Sequence, residues 1–304
     1  MKRRLLSLMV VMLAVTLACG LTNAAIPTAQ PSQSGQPALE TAVAATVQAM
    51  VTNAPTAIAL SPTAEGPAVA PKGITVSFQN VSFMIPEGLA TGAKSELVPA
   101  ATEADGGPWG VAPEHIVFTL TGYSVAVGNF QAVVEIYPAD SYAGVNSWAA
   151  SSLTRLRAVL ASPMAPLTND NLPTVPFNGA AAQQYAAQAK ILEFQGGTGA
   201  RMLSQYAQFP GPILRDDSFY HYEGLTSDGK YLVAVLLPVI LPLKTTADNP
   251  SADGVAYPAD RNSAGLVSYY KGITDLLNAA APESFQPTIT QMDALIQSIS
   301  ISPK

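Results

Sequence analysis

With one cysteine and two histidines in 304 residues, the chain has no means to build a Cys/His zinc site or an internal disulfide. Charge is scarce as well: Asp, Glu, Lys and Arg make up 12% of the residues, and the formal net charge is −6. A nucleic-acid footprint needs clustered Lys and Arg, so this balance disfavours nucleic acid as a partner. Local catalytic motifs are missing too, with no Gly-x-Ser-x-Gly elbow and no His-Glu-x-x-His helix. Nothing in the sequence asks for a cofactor, and no catalytic residue is assigned. Ser/Lys or carboxylate-only catalysis stays open, because such groups assemble from distant positions without a local signature. What the chain does have is apolar material: 48% of it is hydrophobic, too much for a disordered chain.

Lys2, Arg3 and Arg4 precede an uncharged run from Leu5 to Ala18, the layout of a signal peptide. That run is shorter than the roughly 20 apolar residues of a spanning helix. The stretch Val15-Thr16-Leu17-Ala18-Cys19-Gly20 resembles a bacterial lipobox, with Thr16 standing where the motif more often has Leu. The resemblance implies removal of residues 1–18, a diacylglyceryl thioether on Cys19 and acylation of the new amino terminus. Two or more acyl chains hold a protein stably on a membrane. The expected location is therefore the cell membrane, lipid-anchored, with the mature chain facing the extracytoplasmic side. An uncleaved signal anchor and a secreted protein with an incidental cysteine are the alternatives.

Residues 19–72 read as a stalk. Glu40 and Glu65 are the only charges between Gly20 and Pro71, and Pro, Thr and Ala dominate, a composition that cannot bury a core. A flexible chain of that length spans roughly 40 Å end to end. Within it, Leu39, Val43, Val47, Met50 and Val51 follow a helical period, marking a short helix over 38–52 that is marginal by itself.

Residues 73–304 are enough for one globular domain. Ile74–Phe78 and Val81–Ile85 read as a hairpin around Gln79-Asn80 that Pro86 stops, and Ile116–Leu120 and Ala132–Tyr137 as further strands. Val145, Trp148, Ala149, Ser152, Leu153, Leu156, Val159 and Leu160 form a helical stripe, which places Trp148 in the core, with Asn146 as the cap. A strand through Ala189–Phe194 ends at Gly196-Gly197-Thr198-Gly199, read as a flexible turn rather than a phosphate loop because no Lys-Ser/Thr follows. If Asp228-Gly229 is a two-residue turn with positive backbone angles, Tyr222 faces Val235 and Glu223 faces Ala234. Tyr220, Tyr222, Val233, Val235 and Leu237 then form a core face that Pro238 terminates, and His221, Glu223, Leu225, Leu232 and Leu236 the opposite one. Helices follow after Asp260 and Pro287, and Ile299–Ile301 returns as a short strand. This pattern predicts an α+β fold, a mainly antiparallel sheet packed by helices in a single domain. Pro113-Glu114-His115-Ile116, Gln205-Tyr206-Ala207-Gln208 and Gly224 to Tyr231 are similar to segments of a group of uncharacterised bacterial lipoproteins. That resemblance implies no known activity.

Three groups are candidates for contact with a ligand. Trp109, in a Gly/Pro loop, is either a plug that closes the sheet edge or an exposed contact that lines a sugar or peptide groove together with tyrosines such as Tyr142, Tyr257, Tyr269 and Tyr270. His221 and Glu223 lie two apart on a strand and emerge on one face, where they either form a ligand site or share a surface hydrogen bond. Asp248, Asp253 and Asp260 offer hard oxygen ligands for calcium but lack EF-hand spacing. The leading reading is a non-catalytic binding or structural envelope protein with a protein, peptide or glycan partner. A membrane-tethered hydrolase using carboxylates and a solute-binding lipoprotein of a transporter are the alternatives.

Overall fold

A computed structural model of the chain describes residues 72–128, 130–175, 181–260 and 263–302. Residues 1–18, expected to be a signal peptide, together with Cys19 and the segment 38–52, lie outside the described residues. The elements begin with β1 (Gly73–Phe78), β2 (Val81–Pro86) and β3 (Gly92–Val98), then α1 (Glu103–Gly106) and a 3-10 turn at Pro108–Gly110. They continue with β4 (His115–Thr121), β5 (Val133–Pro138), α2 (Ala139–Val145) and α3 (Ser147–Ala161). Next come β6 (Ala182–Gln183), β7 (Ala187–Phe194), β8 (Gly197–Ser204), β9 (Tyr206–Ala207), β10 (Ser218–Thr226) and β11 (Tyr231–Val239). The chain closes with α4 (Ser263–Ala279), α5 (Ile289–Ser298) and β12 (Ser300–Ile301).

Seven of these strands form one sheet in the order β3-β4-β5-β11-β10-β8-β7, every neighbouring pair antiparallel. With helices packed on it, this is the α+β fold anticipated from the sequence. A three-stranded sheet β1-β2-β12 joins the two ends of the domain, and Ser300 and Ile301 pair with Ser82 and Val81 as the terminal Ile-Ser-Ile led one to expect. The hairpin β1-β2 turns on Gln79 and Asn80, with Phe78 opposite Val81.

Strand β10 is buried on both of its faces, which departs from a half-solvated reading. On one face Tyr220, Tyr222, Val233 and Val235 join Tyr269, Ile273 and Leu277 of α4 and Met292, Leu295 and Ile296 of α5. On the other, Leu225, Leu232 and Ala234 lie against Tyr142 of α2 and Ala149, Leu153 and Leu156 of α3. Each fully buried leucine contributes about 1.5–3 kcal/mol, so both faces stabilise the sheet. Central antiparallel strands covered on both sides carry apolar residues at both parities. Leu225, Leu232 and Leu236 on the face of His221 and Glu223 are that signal in this chain.

The register of β10 with β11 is the anticipated one, Tyr222 opposite Val235 and Glu223 opposite Ala234. The turn differs, however. Gly229 N–H donates to Thr226 O at 2.8 Å, Gly229 has φ +72°, and Asp228 stays out of the left-handed region. Asp228 serves instead as an acceptor, taking the Thr226 hydroxyl at 2.7 Å and the Lys230 amide at 3.1 Å. Pro238 continues β11 opposite Phe219 rather than terminating it. The last helix follows Pro287 as expected, and Thr288 caps it: its hydroxyl accepts from Gln291 N and the Gln291 side chain accepts from Thr288 N, a capping box.

Gly197 and Gly199 belong to β8, not to a flexible turn, and their missing side chains make room for aromatic rings. A Cβ at Gly197 would overlap the Phe194 ring, and one at Gly199 or Gly224 the Tyr222 ring.

Candidate functional site

Asn146 is the joint of the site. Its Oδ1 accepts the amides of Trp148 and Ala149 at 3.0 and 3.1 Å, which caps α3 as its position before the stripe implied. Its Nδ2 donates to Val111 O at 2.9 Å, two residues after Trp109. One buried amide thus ties the Trp109 loop to the helix start that carries Trp148.

Both tryptophans are largely exposed, Trp109 at 38% and Trp148 at 48%. The core placement expected for Trp148 is therefore corrected. The stripe of α3 is buried from Ala149 onward, whereas Val145 and Trp148 at its beginning face solvent. Trp109 and Trp148 instead line one cleft of about 510 Å³, together with Arg155, Asn169, Asp170, Thr174 and Gln183, with Leu172 and Val175 as apolar lining. None of Tyr142, Tyr257, Tyr269 and Tyr270 joins them. Tyr142 and Tyr269 are buried, and Tyr257 and Tyr270 pack against the opposite core.

The polar lining is held in fixed orientations. Arg155 Nε donates to Leu172 O at 3.0 Å. The Gln183 amide accepts from Thr174 Oγ1 at 2.9 Å and donates to Asn169 Oδ1 at 2.9 Å. Sequence reading marked none of these residues. Arg155 lies off the apolar stripe of α3, where a cation is ordinary, and Gln183 lies on a two-residue strand that leaves no periodic trace.

Behind the lining runs a buried polar chain. The Tyr206 hydroxyl lies 3.4 Å from Gln183 Oε1 and 2.5 Å from His221 Nδ1. His221 Nε2 is 3.0 Å from Glu223 Oε1. That same carboxylate accepts the Val175 amide at 2.5 Å and the Ser152 hydroxyl at 2.7 Å. The expectation that His221 and Glu223 share a face holds, but the surface setting does not: both are 0% exposed. Carboxylate, imidazole and phenol stand in the order of a proton relay. Their burial closes the relay to a substrate, and the remaining contacts of Glu223 serve to hold Ser152 and Val175. Burial is also the main reason the Tyr206 phenol is pushed far up, with the nearby Glu223 charge adding to it, so Tyr206 stays protonated.

Elsewhere on this sheet face, Glu135 lies beside Ala234 on the side opposite Glu223. Desolvation raises its carboxyl above the usual range, and the Tyr137 hydroxyl, donating at 2.9 Å, offsets part of that rise. Tyr137 is sandwiched between His115 and Tyr142 with ring centroids 4.3 Å apart on each side.

The calcium candidates do not converge. Asp248 sits in a turn closed by mutual Thr246 and Asn249 backbone bonds, and Asp253, at φ +45°, in another closed by Ala252 and Val255. Among the described residues no group of three or more His, Cys, Asp or Glu side chains is placed to hold a metal ion, Asp260 included. No protein-family model matches this chain, and comparison with curated proteins and with solved structures finds no match.

Proposed function

We propose that this is a lipid-anchored, extracytoplasmic binding protein whose domain holds a pyranose-based glycan in the Trp109/Trp148 cleft without transforming it. The observation that carries this reading is the convergence of the chain's two tryptophans, from separate elements, on one polar-walled cleft. A pyranose ring presents an apolar C–H face and a rim of hydroxyls. An indole covers the first, and amide and hydroxyl groups such as those of Asn169, Thr174 and Gln183 exchange hydrogen bonds with the second. Two exposed indoles on the lining of one cleft offer apolar area to a ligand that the rest of the lining does not.

Binding is favoured over hydrolysis by the carboxylates. Glycoside hydrolysis uses a pair flanking the scissile bond. Among the described residues lining the cleft, Asp170 is the one carboxylate, and Glu223 behind it is saturated by protein donors. A transporter's solute receptor calls for two α/β lobes, whereas the described residues build a seven-stranded antiparallel sheet with helical cover and two smaller antiparallel sheets.

The anchor rests on Cys19, the single cysteine, placed where a lipobox needs it. No helix among the described residues is long and apolar enough to cross a membrane. The intact mass of the protein from native membranes tests the anchor. The expected species begins at Cys19 and carries acyl chains, and an unmodified soluble form would refute it.

For the cleft, tryptophan emission is a site-specific probe, because both fluorophores line it. Titration of the full-length chain with cello-, xylo-, chito- and galacturono-oligosaccharides is expected to shift or quench emission saturably with at least one series. Saturable quenching by peptides alone, or unchanged emission throughout, would overturn the glycan reading.

A further inference from the structure

We infer that Arg155 makes this cleft selective for a ligand that carries a carboxylate, an acidic sugar rather than a neutral one. The inference rests on the glycan reading of the same cleft. A guanidinium presents five N–H donors in a planar fork. Here one of them is committed: Nε donates to Leu172 O, which fixes the plane of the group within the lining. Arg155 makes no ion pair among the described residues, whereas Arg157 pairs with Asp140 and Arg201 with Asp293. Its two Nη groups therefore bring an uncompensated positive charge to a half-buried position. A carboxylate matches that fork in two parallel hydrogen bonds, and partial desolvation strengthens such charge-assisted pairs.

Asp170 lines the same cleft with the opposite sign, but it is exposed and outside ion-pair distance of Arg155. Solvent screens a rim charge more than a half-buried one. Asp170 is thus suited to accept sugar hydroxyls, while Arg155 selects the charged substituent. The tryptophans contribute apolar surface that does not discriminate between an acid and its ester, so the discrimination falls to the arginine.

The experiment compares tri-galacturonate and tri-glucuronate with their methyl esters, which keep each skeleton and remove the charge. Tryptophan emission of the full-length chain in detergent is the readout. An acid is expected to bind at least about ten-fold more tightly than its ester, with the preference fading between 50 and 500 mM salt. Arg155→Gln is expected to bring the ratio of acid to ester affinity down to about one, whatever its effect on the ester itself, while Arg155→Lys keeps part of the preference. If Arg155→Gln fails to fold, the acid–ester contrast and its salt dependence in the unaltered protein decide. Equal binding of acid and ester, or a preference that survives Arg155→Gln, overturns the role of Arg155 and leaves the glycan cleft standing. No saturable response to any acid, ester or neutral oligosaccharide overturns both.

Discussion

Glu223 accepts the backbone N–H of Val175 at 2.5 Å across 48 positions of sequence. Val175 lines the cleft, and Glu223 is fully buried in the central sheet. One carboxylate in the sheet therefore holds the cleft wall in place, and through Ser152 it holds α3 as well. The cleft inherits the rigidity of the sheet because its wall hangs on a buried hydrogen bond that water cannot replace.

Replacing Glu223 tests that dependence. Glu223→Ala leaves the Val175 amide, the Ser152 hydroxyl and His221 without their acceptor in a dry interior, and is expected to cost about 3–5 kcal/mol. Glu223→Gln keeps an acceptor oxygen and is expected to cost less. Denaturant titration measures both, and a loss below about 1 kcal/mol for the alanine variant would show the carboxylate to be dispensable.

Asn146 has two jobs that two substitutions separate. Asn146→Ala removes the helix cap and the tether to Val111 O, with an expected loss of about 2 kcal/mol in urea unfolding. Asn146→Asp keeps the cap acceptor and removes the donor to the loop. It is expected to lose less stability while making Trp109 easier to quench with acrylamide. Unchanged quenching in the aspartate variant would mean the loop is held by other contacts.

His115 gives the fold a pH dependence of definite sign. Burial holds its pKa below 6.5, and the hydrogen bond to Pro113 O only partly offsets that. The unfolded chain therefore takes up a proton near pH 6.5 that the folded chain refuses. Stability from this group is complete above pH 6.5 and falls as pH drops from there toward the depressed folded value. Relative to His115→Gln, the parent protein should lose stability between pH 7.5 and 5.5. A difference that stays flat or runs the other way would contradict this.

Gly199→Ala probes the packing of β8 against β10. Its Cβ would overlap Tyr222 and the neighbouring backbone, so a loss of about 1–3 kcal/mol is expected, read as a lowered thermal midpoint. Gly229→Ala meets no atoms within 4 Å and strains only the positive φ of its turn. It should cost less, and the reverse ranking would count against the packing account.

Much of the fold was legible because it depends on neighbours in sequence. Gln79-Asn80 between alternating apolar runs marked the first hairpin, and the spacing around Asp228-Gly229 was enough for register, since antiparallel pairing counts outward from the turn. Asn146 before an apolar stripe marked its helix start. The site was less legible. His221 and Glu223 could be placed on one face from the two-residue period of a strand, but their burial depends on α2, α3 and the 168–175 segment arriving from elsewhere. Trp148 obeyed the stripe period and still faced solvent, because a period says which side of a helix a residue takes and not whether anything lies against that side.

Local chemistry alone thus determined the strand alternation, the cap at Asn146, the register of the central hairpin and the single cysteine at a lipobox-like site. The first three arise from backbone sterics and hydrogen bonds within a few residues, and the cysteine is read directly from the residue order. Tertiary structure decided that both faces of the sheet are covered, that Trp109 and Trp148 line one cleft, and that Glu223 reaches Val175. Each of these joins segments far apart in the chain, and side-chain burial follows from the packing of whole layers, which no local pattern encodes.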